Sequence, residues 1–592
     1  ATPIALRSLR FASLERPGCF ALRAEGALAW MHVGTALIPP ATDGTFERRQ
    51  LGERSTAEVR TDAGGAIAAA TVQQERTAAG RRIVDRLASF VGDPDGLTPK
   101  QEAFAGLERA AGVGFAGLLA EQRDAWARRW DDALVCIEGD PELELAVRFG
   151  LFHLMASVPT SGEAVVGPRG LSGPSYRGHV FWDADVFTLP FLAATCPPAA
   201  RAMLEYRIRR LEPARQAAAQ RGYRGARFPW ESARTGVDVT PSMDRPLSGP
   251  VIPILTGEHE EHIVADVAWA AVQYADWTGD DSLLTGPGRP LVLDTARYWA
   301  SRVRLDSSGG HIGDVIGPDE YHERVDDNVF TNVMARWNLR RAAELAEAAG
   351  DVSADEIAQW RHVADLLVDN HDPHTGLYEQ FAGYYSLEPL MISDVAETPV
   401  AADLLFGRPR ISGSQVIKQP DVLMLHHLVP EETEPGSLRP NLEYYEPRCA
   451  HGSSLSPAIH AALLARDGRP DEALRLFRMA CRLDLDNLTG TTAWGLHLAT
   501  FGGVWQALVF GFAGIRPQQS GLVIDPHVPT GWADLVLRLQ HHGRRLEVRA
   551  SATALWVTSD TPIDVTVPGT GMAEVTPSGQ RWTRTSDGWQ RQ

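Results

Sequence analysis

The stretch Gly317-Pro318-Asp319-Glu320-Tyr321-His322 puts two carboxylates, a phenol and an imidazole on one Gly-Pro turn. Alone it reads as an acidic surface turn, because Pro-Asp is common turn chemistry. A second stretch, HGSSLSP, supplies His451, Gly452, Ser453 and Ser454 just before the helical run SPAIHAALLA. Backbone N–H groups at a helix N-terminus, together with serine hydroxyls, form an anion site. A plain Ser N-cap accounts for the same residues more simply. Two further loops join an indole to an acid: Trp182-Asp183 in GHVFWDADVF and Trp230-Glu231 in YRGARFPWES. An indole face packs on the C–H face of a pyranose while acids bind its hydroxyls, so this pairing on several loops suits a sugar. Each pair alone also fits a core aromatic beside an N-cap.

Charge narrows the choices. The 592 residues carry a net charge of −18, so no basic surplus exists for nucleic acid or an anionic membrane. Lysine occurs twice among the 57 basic residues, at Lys100 and Lys418. Lysine is a compact ammonium where arginine is a wide fork. Lys418, next to Gln419 in IKQPDVL, is therefore the candidate cation for an anion site in an acidic protein.

Other chemistries find no support. No GxxxxGK[ST] or GxGxxG run offers a nucleotide cradle. No HExxH or Cys/His spacing offers a metal site. His259 and His262 in GEHEEHIVAD read as a helix start with solvated acids rather than ligands. Cys19, Cys136, Cys196, Cys449 and Cys481 are scattered, which argues against a disulfide framework and for a reducing compartment. The opening ATPIALRSLRF lacks a leader pattern and no run of about 18 apolar residues suggests a membrane span, so a cytoplasmic location is expected.

The elements that must position these loops change along the chain. Residues 1–92 hold short alternating runs such as SLRFASL, GCFALRAEG, STAEVRT and AAATVQQERT, which predict strands. Residues 93–138 read as a charged helical linker. From 139 to 515 about a dozen segments show apolar residues at i, i+3 and i+4. Long Gly-, Pro-, Trp- and acid-rich loops separate them, the pattern of a helical barrel or toroid with its loops at one mouth. Residues 516–592 return to strands, so the expected order is β, then mainly α, then β.

The motifs GHVFWDADVFTLPF, YRGARFPWESARTG, GEHEEHIVADVAW, DVIGPDEYHERVDDNVFTNVMARWNL, KQPDVL, YYEPRCAHGSSLSP and GLHLATFGGVWQALVFGFAG occur in this order. Together they resemble glycoside hydrolase family 65, which includes maltose, trehalose, kojibiose and nigerose phosphorylases. The resemblance implies a multidomain, mainly α protein. A partial N-terminal β-sandwich (1–92) and a helical linker (93–138) would precede an (α/α)6 barrel (139–515), and a small C-terminal β domain (516–592) would follow.

It further implies that Glu320 is the general acid and that His451, Gly452, Ser453 and Ser454 hold phosphate. Trp182, Asp183, Trp230 and Glu231 would line the sugar subsite, with Lys418 and Gln419 near both sugar and phosphate. Pro420 stands where many members have Ala. The implied reaction is inverting phosphorolysis of an α-glucosidic disaccharide to β-glucose 1-phosphate, with inorganic phosphate as co-substrate, no further cofactor, and a homodimeric enzyme. An inverting hydrolase using water and a second carboxylate, with Glu443 or Glu446 as base, is the alternative within the fold. A non-catalytic carbohydrate-binding protein is the remote one.

Overall fold

The computed structural model describes residues 6–27, 44–61, 65–93, 98–158, 161–244, 251–518 and 521–592. Residues 1–5 of the strand-like opening, and parts of the expected sandwich and linker at 28–43, 62–64 and 94–97, lie outside the described residues. The chain forms two units, Ala1–Asp131 and Asp132–Gln592.

In the first unit, strands β1 (Arg7–Ala12), β2 (Cys19–Ala27), β3 (Gly44–Leu51), β4 (Arg54–Thr61), β5 (Ala66–Ala78) and β6 (Arg81–Asp93) form one antiparallel sheet, ordered β1-β2-β6-β5-β4-β3. The expected partial sandwich is thus a single sheet among the described residues. Helix α1 (Pro99–Asp132) supplies its second layer. Ala103, Leu107, Ala110 and Leu118 recur at helical spacing and bury against Ala21, Ala68, Ala70 and Leu87 of the sheet. Helix α1 is long and apolar enough by length and composition to cross a bilayer. Its buried residues Ala103, Leu107, Ala110, Phe115 and Leu118 belong to this packing.

In the second unit, helices begin and end where local chemistry dictates. Asp140 caps Pro141–Ala156 by accepting the N–H of Leu143, with Pro141 at the first position. Asn328 caps Val329–Ala349, and Gly350 ends it in the left-handed region at φ 69°. Helix Ile263–Thr278 is buried almost all round and stops at Gly279. The helix contacts close on themselves. Leu498–Gln506 packs on Leu189–Thr195, which packs on Ile263–Thr278, which packs on Val329–Ala349. The last packs on Asp421–Leu428, which packs on Ser456–Arg466, which returns to Leu498–Gln506. Outer helices such as Arg289–Arg302, Ala354–Leu366 and Pro470–Arg482 each back onto a member of this circuit.

Besides three two-stranded sheets, the described residues of this unit form two larger ones. One runs Ile515–Gln518, Gly521–Ile524, Ile563–Val567, Gly571–Val575. The other runs Gly588–Arg591, Gln580–Thr585, Ala554–Ser559, Arg544–Ala550, Asp534–His541 and then β7 (Val135–Glu138). Strand β7 corrects the sequence reading, which placed 135–138 in the helical linker. Val135 and Ile137 face inward in the alternation of an edge strand paired antiparallel to Asp534–His541.

Candidate active site

The turn 317–322 is held from below by a buried polar network. Asp421, first residue of helix Asp421–Leu428, accepts the N–H of Asp319 and the side-chain amide of Asn328, each at 2.7 Å. The carboxylate of Asp319 accepts from the backbone N–H of Lys418 (2.7 Å), the amide of Gln380 (2.8 Å) and Nδ1 of His322 (2.6 Å). His322 Nε2 lies 2.8 Å from the carbonyl of Ser414. Burial opposes charge on this imidazole, but Asp319 outweighs it and raises its pKa. Burial and the neighbouring Asp319 push Asp421 up to about 7. Gly317 is required by close approach, since a Cβ there would sit 2.3 Å from Asp421 Oδ2. Asp319 is therefore the anchor of the turn, and the adjacent Glu320 is left for the cavity.

That cavity has a volume of about 930 Å³ and lies within the second unit. Glu320, Lys418 and Gln419 line it, as do Trp182, Asp183, Trp230 and Glu231, and His451, Gly452, Ser453 and Ser454. The residues that the resemblance assigned to acid, sugar and phosphate roles thus line one cavity, and Glu443 and Glu446 do not. Lys418 Nζ donates to Glu320 Oε1 at 2.8 Å, and the Glu320 side chain keeps 33% of its exposure. Burial works against the Lys418 charge; Glu320 more than restores it, and the ammonium pKa is raised. Gln419 donates to the carbonyl of Pro318 at 2.7 Å, tying the turn to the Lys418 segment.

The aromatic wall is tighter than a free stacking platform. Trp182 is 2% exposed, and its ring meets His262 edge-on at 4.9 Å between centroids. Trp230 lies 6.4 Å from Trp182 and 5.6 Å from the same His262. His262 is held by Asp266 at 2.6 Å and pushed up to about 10: burial opposes its charge, and Asp266 prevails. It supports the indoles from behind. Asp183 opens a π-helical turn at Ala184–Thr188, a geometry common at functional sites. Burial, then the charge of Glu320, pushes Asp183 up to about 7. Glu231 is raised by burial and accepts from His179 Nδ1 at 2.8 Å.

Across the cavity, His451 sits at φ 49°, a strained conformation for a non-glycine residue. Its Nδ1 lies 2.9 Å from Ser456 Oγ, and burial pushes it down to about 3, so it is neutral. Gly452 approaches the carbonyl of Val400 so closely that a Cβ would sit 2.7 Å away. Arg169 and His497 also line the cavity, and the sequence reading did not single them out. Asp484 fixes His497, lying 2.7 Å from both its Nδ1 and its backbone N. The signal was present in GLHLATFGG, quoted as a motif without a role for its histidine.

The chain matches the family model for the glycosyl hydrolase family 65 central catalytic domain over residues 148–506. The family's C-terminal domain matches over 515–572. The chain belongs to glycosyl hydrolase family 65. A kojibiose phosphorylase of Caldanaerobacter subterraneus subsp. tengcongensis is 38% identical over 458 residues, covering 74% of this chain and 59% of that protein. The kojibiose phosphorylase of Escherichia coli is 33% identical, covering 78% and 62%. An α,α-trehalose phosphorylase of Thermoanaerobacter brockii is also 33% identical, covering 75% and 58%. The family 65 chain thus spans about three fifths of the length of the curated relatives it matches. A solved structure from the human microbiome, provisionally called a kojibiose phosphorylase, shares the fold. Its TM-score is 0.86 at 21% identity, covering 98% of this chain and 83% of that one.

Proposed function

We propose that this family 65 chain carries the catalytic machinery of an inverting disaccharide phosphorylase, built on an (α/α)6 barrel. The closed circuit of six inner helices, each backed by outer ones, supports the barrel reading. Phosphate oxygen attacks C1 of an α-linked glucosyl unit as the bond to the leaving oxygen breaks. Glu320 gives its proton to that oxygen. The products are β-glucose 1-phosphate and the released sugar.

Trp182, Asp183, Trp230 and Glu231 hold the glucosyl ring. The 451–454 loop holds phosphate on the other side of C1, with Arg169, Lys418 and His497 nearby as cationic or hydrogen-bonding partners. Because phosphate is the nucleophile, no second carboxylate is needed as base.

One observation carries this reading: Glu320 and the 451–454 loop open onto the same cavity, and the carboxylates closest to that loop in sequence are not on its wall. Glu446 precedes His451 on the turn Glu446–Arg448 and is bound by Arg475 at 2.7 Å. Neither Glu446 nor Glu443 is among the residues that line the cavity. This removes the two bases named for the hydrolase reading, and the naming of the relatives as phosphorylases supports phosphorolysis.

Kojibiose is the first substrate to test, followed by trehalose, maltose, nigerose and sucrose, each with and without phosphate. The expected result is β-glucose 1-phosphate, identified by NMR, formed only when phosphate is present. Equal release of glucose in phosphate-free buffer would replace this reading with the hydrolase.

A further inference from the structure

Behind the 451–454 loop lies a side-chain cluster in which only His451 belongs to the proposed phosphate loop. Cys449 follows the turn Glu446–Arg448, and His460 is on helix Ser456–Arg466, one turn beyond Ser456. His451 lies between them. One ligand atom from each of Cys449, His451 and His460 falls within 4.8 Å of the others, and all three residues are buried. Cys449 Sγ is 3.6 Å from His451 Nδ1, and the two imidazole rings meet edge-on at 4.8 Å.

Two observations separate this cluster from ordinary core packing. Both ring nitrogens of His460 are buried without a hydrogen-bond partner. Buried polar atoms are normally satisfied, so an imidazole with neither nitrogen bonded calls for an explanation. Burial also drives His451 down to about 3 and His460 well below its ordinary value. Both rings are therefore neutral, the form that ligates metals.

We propose that Cys449, His451 and His460 form a binding site for one thiophilic divalent metal ion of the zinc or cobalt class. A sulfur with two imidazole nitrogens is a donor set such ions favour. With metal–sulfur bonds of about 2.3 Å and metal–nitrogen bonds of about 2.0–2.1 Å, a tetrahedral site has S···N edges of about 3.6 Å. The Cys449–His451 edge already has that length. The other ligand-atom separations, at most 4.8 Å, shorten as the ion draws the three side chains together. As the metal–sulfur bond forms, the Cys449 thiol proton is released to solvent; burial holds that thiol up at about 12 in the metal-free protein. His451 also lines the cavity, which gives the ion a route in. A bound ion would fix the loop that the proposed function assigns to phosphate, and this consequence rests on that assignment.

Cobalt(II) titration of the full chain, after treatment with a chelator, tests the site. One equivalent should produce the visible bands of tetrahedral cobalt and a thiolate-to-cobalt charge-transfer band, both abolished by zinc. Cys449→Ser should remove the charge-transfer band. His460→Asn should weaken cobalt binding at least tenfold, with circular dichroism melts confirming that both variants fold. Absence of stoichiometric uptake, or a charge-transfer band that survives Cys449→Ser, overturns the proposal. In a parallel assay zinc should slow phosphorolysis by the unsubstituted chain and not by Cys449→Ser. Lack of any phosphorolysis alongside an intact cobalt spectrum would strike the functional reading and leave the metal site standing.

Discussion

Lys418 Nζ donates to Glu320 Oε1 across 2.8 Å, so the cavity's lysine is held by the carboxylate beside which a glycosidic oxygen would lie. The network beneath fixes both partners, because Asp319 accepts the backbone N–H of Lys418 and directly precedes Glu320. Phosphate entering this cavity meets an ammonium that already has a partner and competes for it. Moving Lys418 from Glu320 to phosphate would leave the carboxyl free to carry the proton that catalysis needs. Lys418→Gln should therefore raise the KM for phosphate about ten- to a hundredfold, the worth of a charge-assisted hydrogen bond of about 1.5–3 kcal/mol. Lys418→Arg should not restore it, since the guanidinium fork is wider than the ammonium it replaces. Steady-state kinetics at varied phosphate reads both, and an unchanged KM would confine Lys418 to the service of Glu320.

Glu320→Gln keeps the shape of the side chain and removes its proton. The rate with a disaccharide should fall about 10²- to 10⁴-fold. With α-glucosyl fluoride, whose leaving group needs no proton, the same variant should recover most of its turnover with phosphate. Equal losses on both substrates would mean that Glu320 does something other than protonate the leaving group.

Asp319 gives the opposite signature. It is 1% exposed and binds His322, Gln380 and the backbone of Lys418. Asp319→Asn leaves the His322 imidazole without its charge partner, and breaking a buried pair in this way costs about 3–5 kcal/mol. Urea unfolding should show a lowered midpoint for Asp319→Asn and an unchanged one for Glu320→Gln. Equal stability of the two variants would remove Asp319 from its anchoring role.

Glu446 is the point where the hydrolase alternative is most exposed. Its carboxylate is engaged by Arg475 and lies off the cavity wall. Glu446→Gln should change kcat by less than about twofold, because it breaks a partly exposed ion pair worth at most about 1 kcal/mol. A loss of a hundredfold or more would restore it as a catalytic base.

What could be read from the residue order follows the reach of each interaction. The loops at 182–183, 230–231, 317–322, 418–419 and 451–454 each concentrate their chemistry within a few residues, and the structure gathers them at one cavity. The groups that hold them there were not legible. Asp421 and Asn328 support the 317–322 turn through contacts that join residues about a hundred positions apart. Gln380 reaches Asp319 across 61 positions. Such pairs leave no local pattern. The indoles were legible as residues but not in their setting, because His262, read as part of a helix start, is what packs behind them. Strand β7 was missed for a related reason. Four residues after a 34-residue helix carry too little periodicity to announce an edge strand whose partner begins near residue 534.

Asp183 allows a test of the site's electrostatics without substrate. Burial and Glu320 hold its carboxyl at about 7 in the folded chain, against an ordinary value of about 3.9 when unfolded. Below about pH 4 both states are protonated and the stabilisation relative to neutral pH is fully present. As pH rises, the unfolded chain releases this proton first, so the folded state is penalised progressively until about pH 7. Between about pH 5 and 8 the upper bound on that loss is about 3 kcal/mol, at about 1.36 kcal/mol per unit, and the open cavity lowers it. Asp183→Asn has no proton to lose there. Urea unfolding followed by tryptophan fluorescence should show the unsubstituted chain losing about 1–3 kcal/mol more than Asp183→Asn over this interval. Parallel losses would mean that Asp183 ionises in the folded protein as it does in water, and that the cavity floor is better solvated than its packing implies.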